Sequence, residues 1–165
     1  MADNNFYSIL EGPDDQLWVG SNIGLFLLDR QTGEFEEVET IPSGAGFPQS
    51  QAIYALRLDL EDNLLVSGSS VFSVLNPRTK AFRAYHHFSS NPDGLPITTV
   101  LAPWRDHKGI LWLGTWGHGV FRMDPDQFDL PPAEAKFRQF RFDENDEKSL
   151  SADRIQPIME DSKGN

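Results

Sequence analysis

Short apolar runs separated by polar turns recur along the whole chain. Phe6–Leu10, Ile53–Leu58 and Val100–Trp104 are such runs, and each precedes a turn rich in Asp or Gly and a second short run. No window of about 11 residues shows a helical period, and Pro recurs too often for long helices. Short strands broken by Gly, Pro and Asp indicate an all-β fold.

The strands belong to an internal repeat. Leu17, Leu64 and Leu111 occupy the same place in three similar segments and lie 47 residues apart. A unit of four short strands with a period of about 40 to 50 residues is typical of a β-propeller blade. A β-sandwich is the main alternative, but sandwiches seldom show such regular self-similarity.

We therefore predict a β-propeller fragment of about three four-stranded blades plus the first strand of a fourth. The predicted boundaries are residues 5–50, 51–98 and 99–153 for the three blades, and residues 154–165 for the first strand and turn of a truncated fourth blade. That first strand is predicted at Ile155–Met159. Because a propeller closes with about four to eight blades, we expect the sequence to be part of one.

Two strings, GILWLGTWGHGVFRMDPD and SLSADRIQPIMEDSKGN, resemble the two-component regulator propeller repeat. The matching positions are Ser149-Leu150-Ser151, Glu160-Asp161, Gly164, Leu111-Trp112-Leu113-Gly114-Thr115 and Gly119-Val120. The first repeat matches at Leu17–Ser21 but has Gly12 where the family has Asp, and the second has Leu65 in place of Trp.

This resemblance implies the input region of a bacterial hybrid two-component sensor histidine kinase. Such a segment is periplasmic and not catalytic itself. It binds a small molecule, often an oligosaccharide, and passes the signal to a phosphorelay. The remaining blades and the kinase domain would lie in a longer parent chain.

The charge balance excludes some partners. The 165 residues contain 14 Lys and Arg against 25 Asp and Glu, a net charge of −11. Nucleic-acid binding usually leaves a basic footprint, so we expect no nucleic-acid partner and no membrane contact by this segment. The chain has no Cys and its first residues do not form a signal peptide, so the periplasmic assignment rests on the resemblance alone.

The residues of the repeat motif are interpreted as structural. Tryptophans pack between adjacent sheets, glycines allow a close backbone approach or a positive φ, and turn aspartates bond backbone amides. The motif residues are Trp18, Gly20, Trp112, Gly114, Asp106, Gly109, Asp161 and Gly164.

Ligand binding is predicted on the face formed by the loops between second and third strands and by the connections Thr40–Gln51, His86–Thr98 and Asp143–Asp153. The richest loop carries Trp116 and His118, and it is one residue longer than its counterparts. An exposed indole can stack on the apolar face of a sugar ring. An alternative is that Trp116 covers a gap between blades. Asn22 and Ser70 lie in comparable loops and are weaker candidates.

Neither a metal, a cofactor nor catalysis is indicated. His86 and His87 are adjacent on a strand and point to opposite faces, and the acidic stretch 143–147 lacks the spacing of a calcium loop. No nucleophile motif is present, and Asp106 and Gly109 miss the Asp-box spacing of sialidases by one position. A catalytic propeller of glycosidase or lyase type and a protein-interaction propeller stay open as alternatives.

Overall fold

A computed structural model of the protein describes residues 5–39 and 51–164. These residues form three four-stranded antiparallel sheets, and within each sheet the strands are adjacent in chain order. The all-β fold predicted from the repeat is therefore confirmed.

The strand bounds repeat from sheet to sheet. The first sheet contains β1 (Phe6–Glu11), β2 (Leu17–Ser21), β3 (Leu25–Leu28) and β4 (Phe35–Val38). The second contains β5 (Ile53–Leu58), β6 (Leu64–Gly68), β7 (Val71–Leu75) and β8 (Phe82–His86). The third contains β9 (Val100–Arg105), β10 (Leu111–Thr115), β11 (Val120–Met123) and β12 (Arg138–Phe140). Short 3-10 turns occupy Pro13–Asp15 and Pro125–Asp129.

The apolar core lies between neighbouring sheets. Trp18, Leu25 and Val38 of the first sheet pack in one cluster with Ile53, Leu64 and Leu75 of the second. A second cluster joins the other face of the second sheet to the third, through residues that include Leu65, Phe72, Tyr85, Val100, Leu111 and Met123. Successive side chains of a strand point to opposite faces, so the middle sheet is apolar on both sides and holds its neighbours together.

The two outer sheets each keep one face that no described sheet covers. On the first sheet, Ile9 and Phe35 are 66% and 49% exposed. The equivalent residues of the second repeat are Leu56 and Phe82, which pack against the core between the first two sheets. The exposed positions are thus of the kind that another sheet covers inside the molecule.

Residues 155–159 do not form the strand that the sequence predicts there. Arg154 makes an isolated bridge to Trp116, and the Ile155 backbone N–H donates to the Thr115 carbonyl at 3.0 Å. A strand needs a continuous ladder with a neighbour, and the described residues give this segment single contacts only.

Candidate functional site

The turn between β10 and β11 is fixed by its own hydrogen bonds. The buried Thr115 hydroxyl donates to the Gly119 carbonyl at 2.8 Å and accepts from the His118 backbone N–H at 3.1 Å. Gly117 and Gly119 have φ values of +92° and +70°, which glycine adopts readily because it has no Cβ. A side chain at Gly119 would overlap the Phe140 carbonyl oxygen. The turn therefore presents Trp116 and His118 from a defined backbone.

Trp116 stands out from this turn with 54% of its surface exposed. Its backbone N–H donates to the Thr99 carbonyl at 3.0 Å. The Arg154 guanidinium lies over the indole, with Cζ 3.5 Å from the ring centroid. One face of the ring is therefore occupied by a cation.

Thr98 connects two of the predicted site residues. Its carbonyl accepts from the Ser70 backbone N–H at 3.0 Å, and a hydrogen bond of 3.0 Å joins its hydroxyl to Nδ1 of His118. Ser70 itself has a positive φ of 62°. The connection between the second and third sheets thus ties the turn of one sheet to the turn of the next.

Asp153 ties the turn to the segment that follows the third sheet. Its carbonyl accepts from the Gly117 and Gly119 N–H groups at 3.1 and 2.7 Å. Its carboxylate accepts two bonds from the Arg141 guanidinium, of 2.7 and 3.1 Å, and one from the Phe142 N–H. These bonds lower the pKa of Asp153 below its ordinary value. The Arg141 bonds contribute most, and the Phe142 bond comes second.

Asn22 occupies the corresponding loop of the first sheet. Its side-chain oxygen accepts from the Asn5 N–H at 2.9 Å, and its own N–H donates to the Asn5 carbonyl at 2.9 Å. The structure therefore joins Ser70, Trp116 and His118 through residues 98 and 99, whereas Asn22 is paired within its own sheet. Most of the predicted connection Thr40–Gln51, namely residues 40–50, lies outside the described residues.

Three further residues contribute to this site without a sequence motif of their own: Thr98, Asp153 and Arg154. Thr98 and Asp153 end connections that the sequence does place on the ligand face, but nothing in their immediate sequence marks them. Arg154 follows Asp153 at the start of the fourth repeat. Only the spacing of the repeats could indicate these residues, because each of them follows a blade and lies beside a turn of the preceding sheet.

The motif residues Asp106 and Trp112 form one hydrogen-bonded unit. Asp106 Oδ1 accepts from the Lys108 and Ile110 N–H groups, both at 2.9 Å. Its Oδ2 accepts from the Trp112 indole Nε1 at 3.0 Å. The carboxylate therefore fixes both the hairpin turn and the orientation of the indole.

The same unit differs in the first repeat. Trp18 is fully buried between the first two sheets, and its indole Nε1 has no hydrogen-bond partner. The residue at the aspartate position is Gly12, and a Cβ there would lie 2.6 Å from that nitrogen. Trp18 is instead covered by Lys80, whose Nζ lies 4.2 Å from the ring centroid.

The remaining motif residues lie in turns or at close approaches between segments. A Cβ at Gly20 would come within 2.9 Å of the Ile53 carbonyl, and one at Gly114 within 3.0 Å of the Ile155 carbonyl. Gly109 and Gly164 have φ values of +78° and +81°. Asp161 Oδ1 accepts from the Lys163 N–H at 2.9 Å.

A groove of about 950 Å³ lies on the outer face of the third sheet. Its apolar wall includes Trp112, Val120, Phe140, Leu150 and Ile158. Trp112 and Val120 occupy the places that Trp18 and Leu25 hold in the first repeat, where the second sheet covers them. The groove thus has the composition of a surface between sheets, and Trp116 does not line it.

Within the described residues, no group of three or more His, Cys, Asp or Glu is arranged to hold a metal ion. No helix in residues 5–39 and 51–164 is long and apolar enough to cross a membrane.

The stacked four-stranded sheets define the chain as a segment of a β-propeller. A family model described as the two-component regulator propeller matches residues 1–22, which confirms the resemblance seen in the sequence. No curated protein sequence matches the chain.

Two solved structures show the same fold. One is the extracellular domain of the hybrid two-component system BT4673 from B. thetaiotaomicron, with a TM-score of 0.78 and 19% identity over 100% of this chain. The other is that of BT3049 from the same organism, with a TM-score of 0.64 and 18% identity over 95% of this chain. This chain spans 20% and 18% of those two chains, respectively.

Proposed function

We propose that this chain is a ligand-binding segment of a sensor propeller that recognises an oligosaccharide through the turn carrying Trp116. The observation that carries the proposal is the exposed indole of Trp116 on a turn held by hydrogen bonds. An aromatic ring that is already fixed loses little conformational freedom when a sugar stacks on it.

The neighbouring groups suit the recognition of hydroxyl groups. His118 lies in the same turn as Trp116 and is joined to Thr98 by a hydrogen bond, and Gln139 donates to the His118 carbonyl at 2.9 Å. Sugar sites commonly combine an apolar platform with a few fixed polar groups. Because Arg154 covers one face of the indole, the sugar would stack on the other face.

The wider role rests on the propeller fold and on the family match. Both solved neighbours are described as extracellular domains of two-component systems. We therefore place this chain outside the inner membrane, in a longer sensor whose kinase relays the signal. We retain the blade boundaries 5–50, 51–98 and 99–153, with the fourth blade starting at residue 154.

We also propose that the segment is not catalytic. Two titratable groups of the turn and its neighbouring segment are engaged in structural contacts, since Asp153 pairs with Arg141 and a hydrogen bond joins His118 to Thr98. A general acid or base would instead have to reach the substrate.

The direct test is oligosaccharide binding by the Trp116→Ala variant. We expect its affinity for a bound oligosaccharide to fall at least about tenfold, because loss of a stacking platform removes on the order of 1.4 kcal/mol. The Phe35→Ala variant is the matched control, since Phe35 is a similarly exposed aromatic residue on the outer face of the first sheet. Isothermal titration calorimetry would measure both, with circular dichroism to check the fold. Unchanged affinity in Trp116→Ala would refute the site.

A further inference from the structure

We propose that Arg154 makes this site selective for sugars that carry an acidic group, either a carboxylate or a sulfate ester. The inference rests on the proposed oligosaccharide function and adds the chemical class of the ligand. It follows from the position, charge and partners of one side chain.

Arg154 is exposed and stacked on the exposed indole of Trp116. No carboxylate of the described residues lies within ion-pair distance of its guanidinium, although the chain contains 25 acidic residues. By contrast, the neighbouring Arg141 is engaged by Asp153 at 2.7 Å. The charge of Arg154 is therefore available beside the platform, whereas the charge of Arg141 is neutralised.

Stacking prepares the guanidinium for an anion. A guanidinium stacked on an aromatic ring uses one face of its planar group for the ring and keeps the N–H groups at its edge for other partners. Two parallel N–H groups match the two oxygens of a carboxylate or of a sulfate, and such charge-assisted pairs are about twice as strong as neutral hydrogen bonds. Because the stacked sugar would lie on the opposite face of the indole, the acidic group would belong to a neighbouring sugar of the same oligosaccharide that extends past the edge of the ring to the guanidinium.

The overall charge limits the number of acidic groups in the ligand. A net charge of −11 repels a densely charged polyanion at long range. A ligand with one acidic group gains the short-range contact with Arg154 and is repelled only weakly. A ligand with many acidic groups gains the same contact and is repelled more strongly. We therefore expect the preferred ligand to carry an isolated acidic group among neutral sugars.

The test compares matched sets of oligosaccharides that share one backbone and differ in one residue, which is neutral, a uronate or a 6-sulfate. Backbones of β-1,4-linked glucose and α-1,4-linked galactose supply two such sets. The variants are Arg154→Gln and, as a control with the same change in net charge, Lys108→Gln. Lys108 is an exposed cation in the turn at the opposite end of β10.

We expect an acidic member to bind at least tenfold more tightly than its neutral counterpart. Arg154→Gln should reduce the ratio of acidic to neutral affinity to within about twofold, whereas Lys108→Gln should keep that ratio. The uronate and sulfate arms show which oxyanion is preferred.

Equal binding of neutral and acidic members, or a preference that survives in Arg154→Gln, would overturn the role of Arg154 and leave the oligosaccharide function standing. If no member of either set binds the unaltered chain, both the oligosaccharide function and the role of Arg154 are contradicted.

Discussion

At the scale of single residues, the indoles of Trp18 and Trp112 meet different surroundings although they occupy the same place in their repeats. Trp112 donates to Asp106, whereas Trp18 is buried without an acceptor because Gly12 replaces the aspartate. In the second repeat Leu65 replaces the tryptophan, and Asp59 Oδ2 accepts instead from Arg105 Nη1 of the third sheet at 2.9 Å. The turn carboxylate thus bonds to an indole of its own sheet in the third repeat and to a guanidinium of the next sheet in the second repeat.

Removing the Asp106 carboxylate should destabilise the third sheet. Asp106→Ala leaves two backbone N–H groups and an indole N–H without their acceptor, and we expect a loss of about 1–3 kcal/mol in the free energy of unfolding. Urea unfolding followed by tryptophan fluorescence would measure it. Asp129→Ala, which removes an exposed carboxylate, should change stability by less than about 0.5 kcal/mol. Equal stability of the two variants would show that the Asp106 bonds contribute little.

Acid should loosen the contact between Asp153 and Arg141. The Arg141 bonds lower the folded-state pKa of Asp153 below the ordinary value of an Asp carboxyl. The stabilisation that the carboxylate gives is therefore fully present above its unfolded pKa and is lost as the pH falls through the lower folded pKa. An NMR titration of the Asp153 carboxyl carbon should give a midpoint below that of an unperturbed Asp, about 3.9, and a midpoint above that value would be inconsistent with the pairing. The Arg141→Gln variant should move the midpoint upward.

At the scale of single elements, the turn between β10 and β11 depends on one glycine more than on the other. Gly117 has open space around its missing side chain, so Gly117→Ala meets the cost of a positive φ alone, about 1–2 kcal/mol. Gly119→Ala meets the same cost and a clash with the Phe140 carbonyl, so we expect a clearly larger loss of stability and weaker ligand binding. Thermal unfolding of the two variants tests this, and an equal loss in both would argue against the close packing at Gly119.

The strands could be predicted from the sequence, whereas the contacts made by the connections between them could not. The strands could be predicted because apolar runs and turn residues recur with a fixed period, and each strand is a local pattern. The stacking of Arg154 on Trp116 and the hydrogen bond between Thr98 and His118 could not be predicted. These contacts join residues 38 and 20 positions apart through irregular connections. Residues 155–159 show a second limit, because an apolar run becomes a strand only where a neighbour completes its ladder.

At the scale of the whole molecule, the first and third sheets each have an outer face that no described sheet covers. The residues on these faces are equivalent, by the repeat, to residues that are buried between sheets inside the molecule. The first sheet exposes Ile9 and Phe35, and the third exposes the groove around Trp112. In a larger propeller each of these faces would be covered by a further blade. Exposed apolar patches of this kind commonly lead to association.

We therefore expect the isolated 165-residue chain to self-associate through these faces. Light scattering should show species larger than a monomer, and Ile9→Lys should shift the distribution towards the monomer. Ile97→Lys is the matched control, because Ile97 is 62% exposed but lies in a connection between sheets. A stable monomer of the unaltered chain would contradict the expectation.

Binding of a sugar at Trp116 can be followed separately from binding elsewhere, because each of the four tryptophans gives its own indole N–H signal. An oligosaccharide that binds should be titrated into the 15N-labelled chain while the indole N–H resonances of Trp18, Trp104, Trp112 and Trp116 are followed. We expect the Trp116 resonance to shift until the chain is saturated and the resonance of the buried Trp18 to stay in place. Saturable binding that leaves the Trp116 resonance in place, or that moves the Trp112 resonance instead, would contradict it.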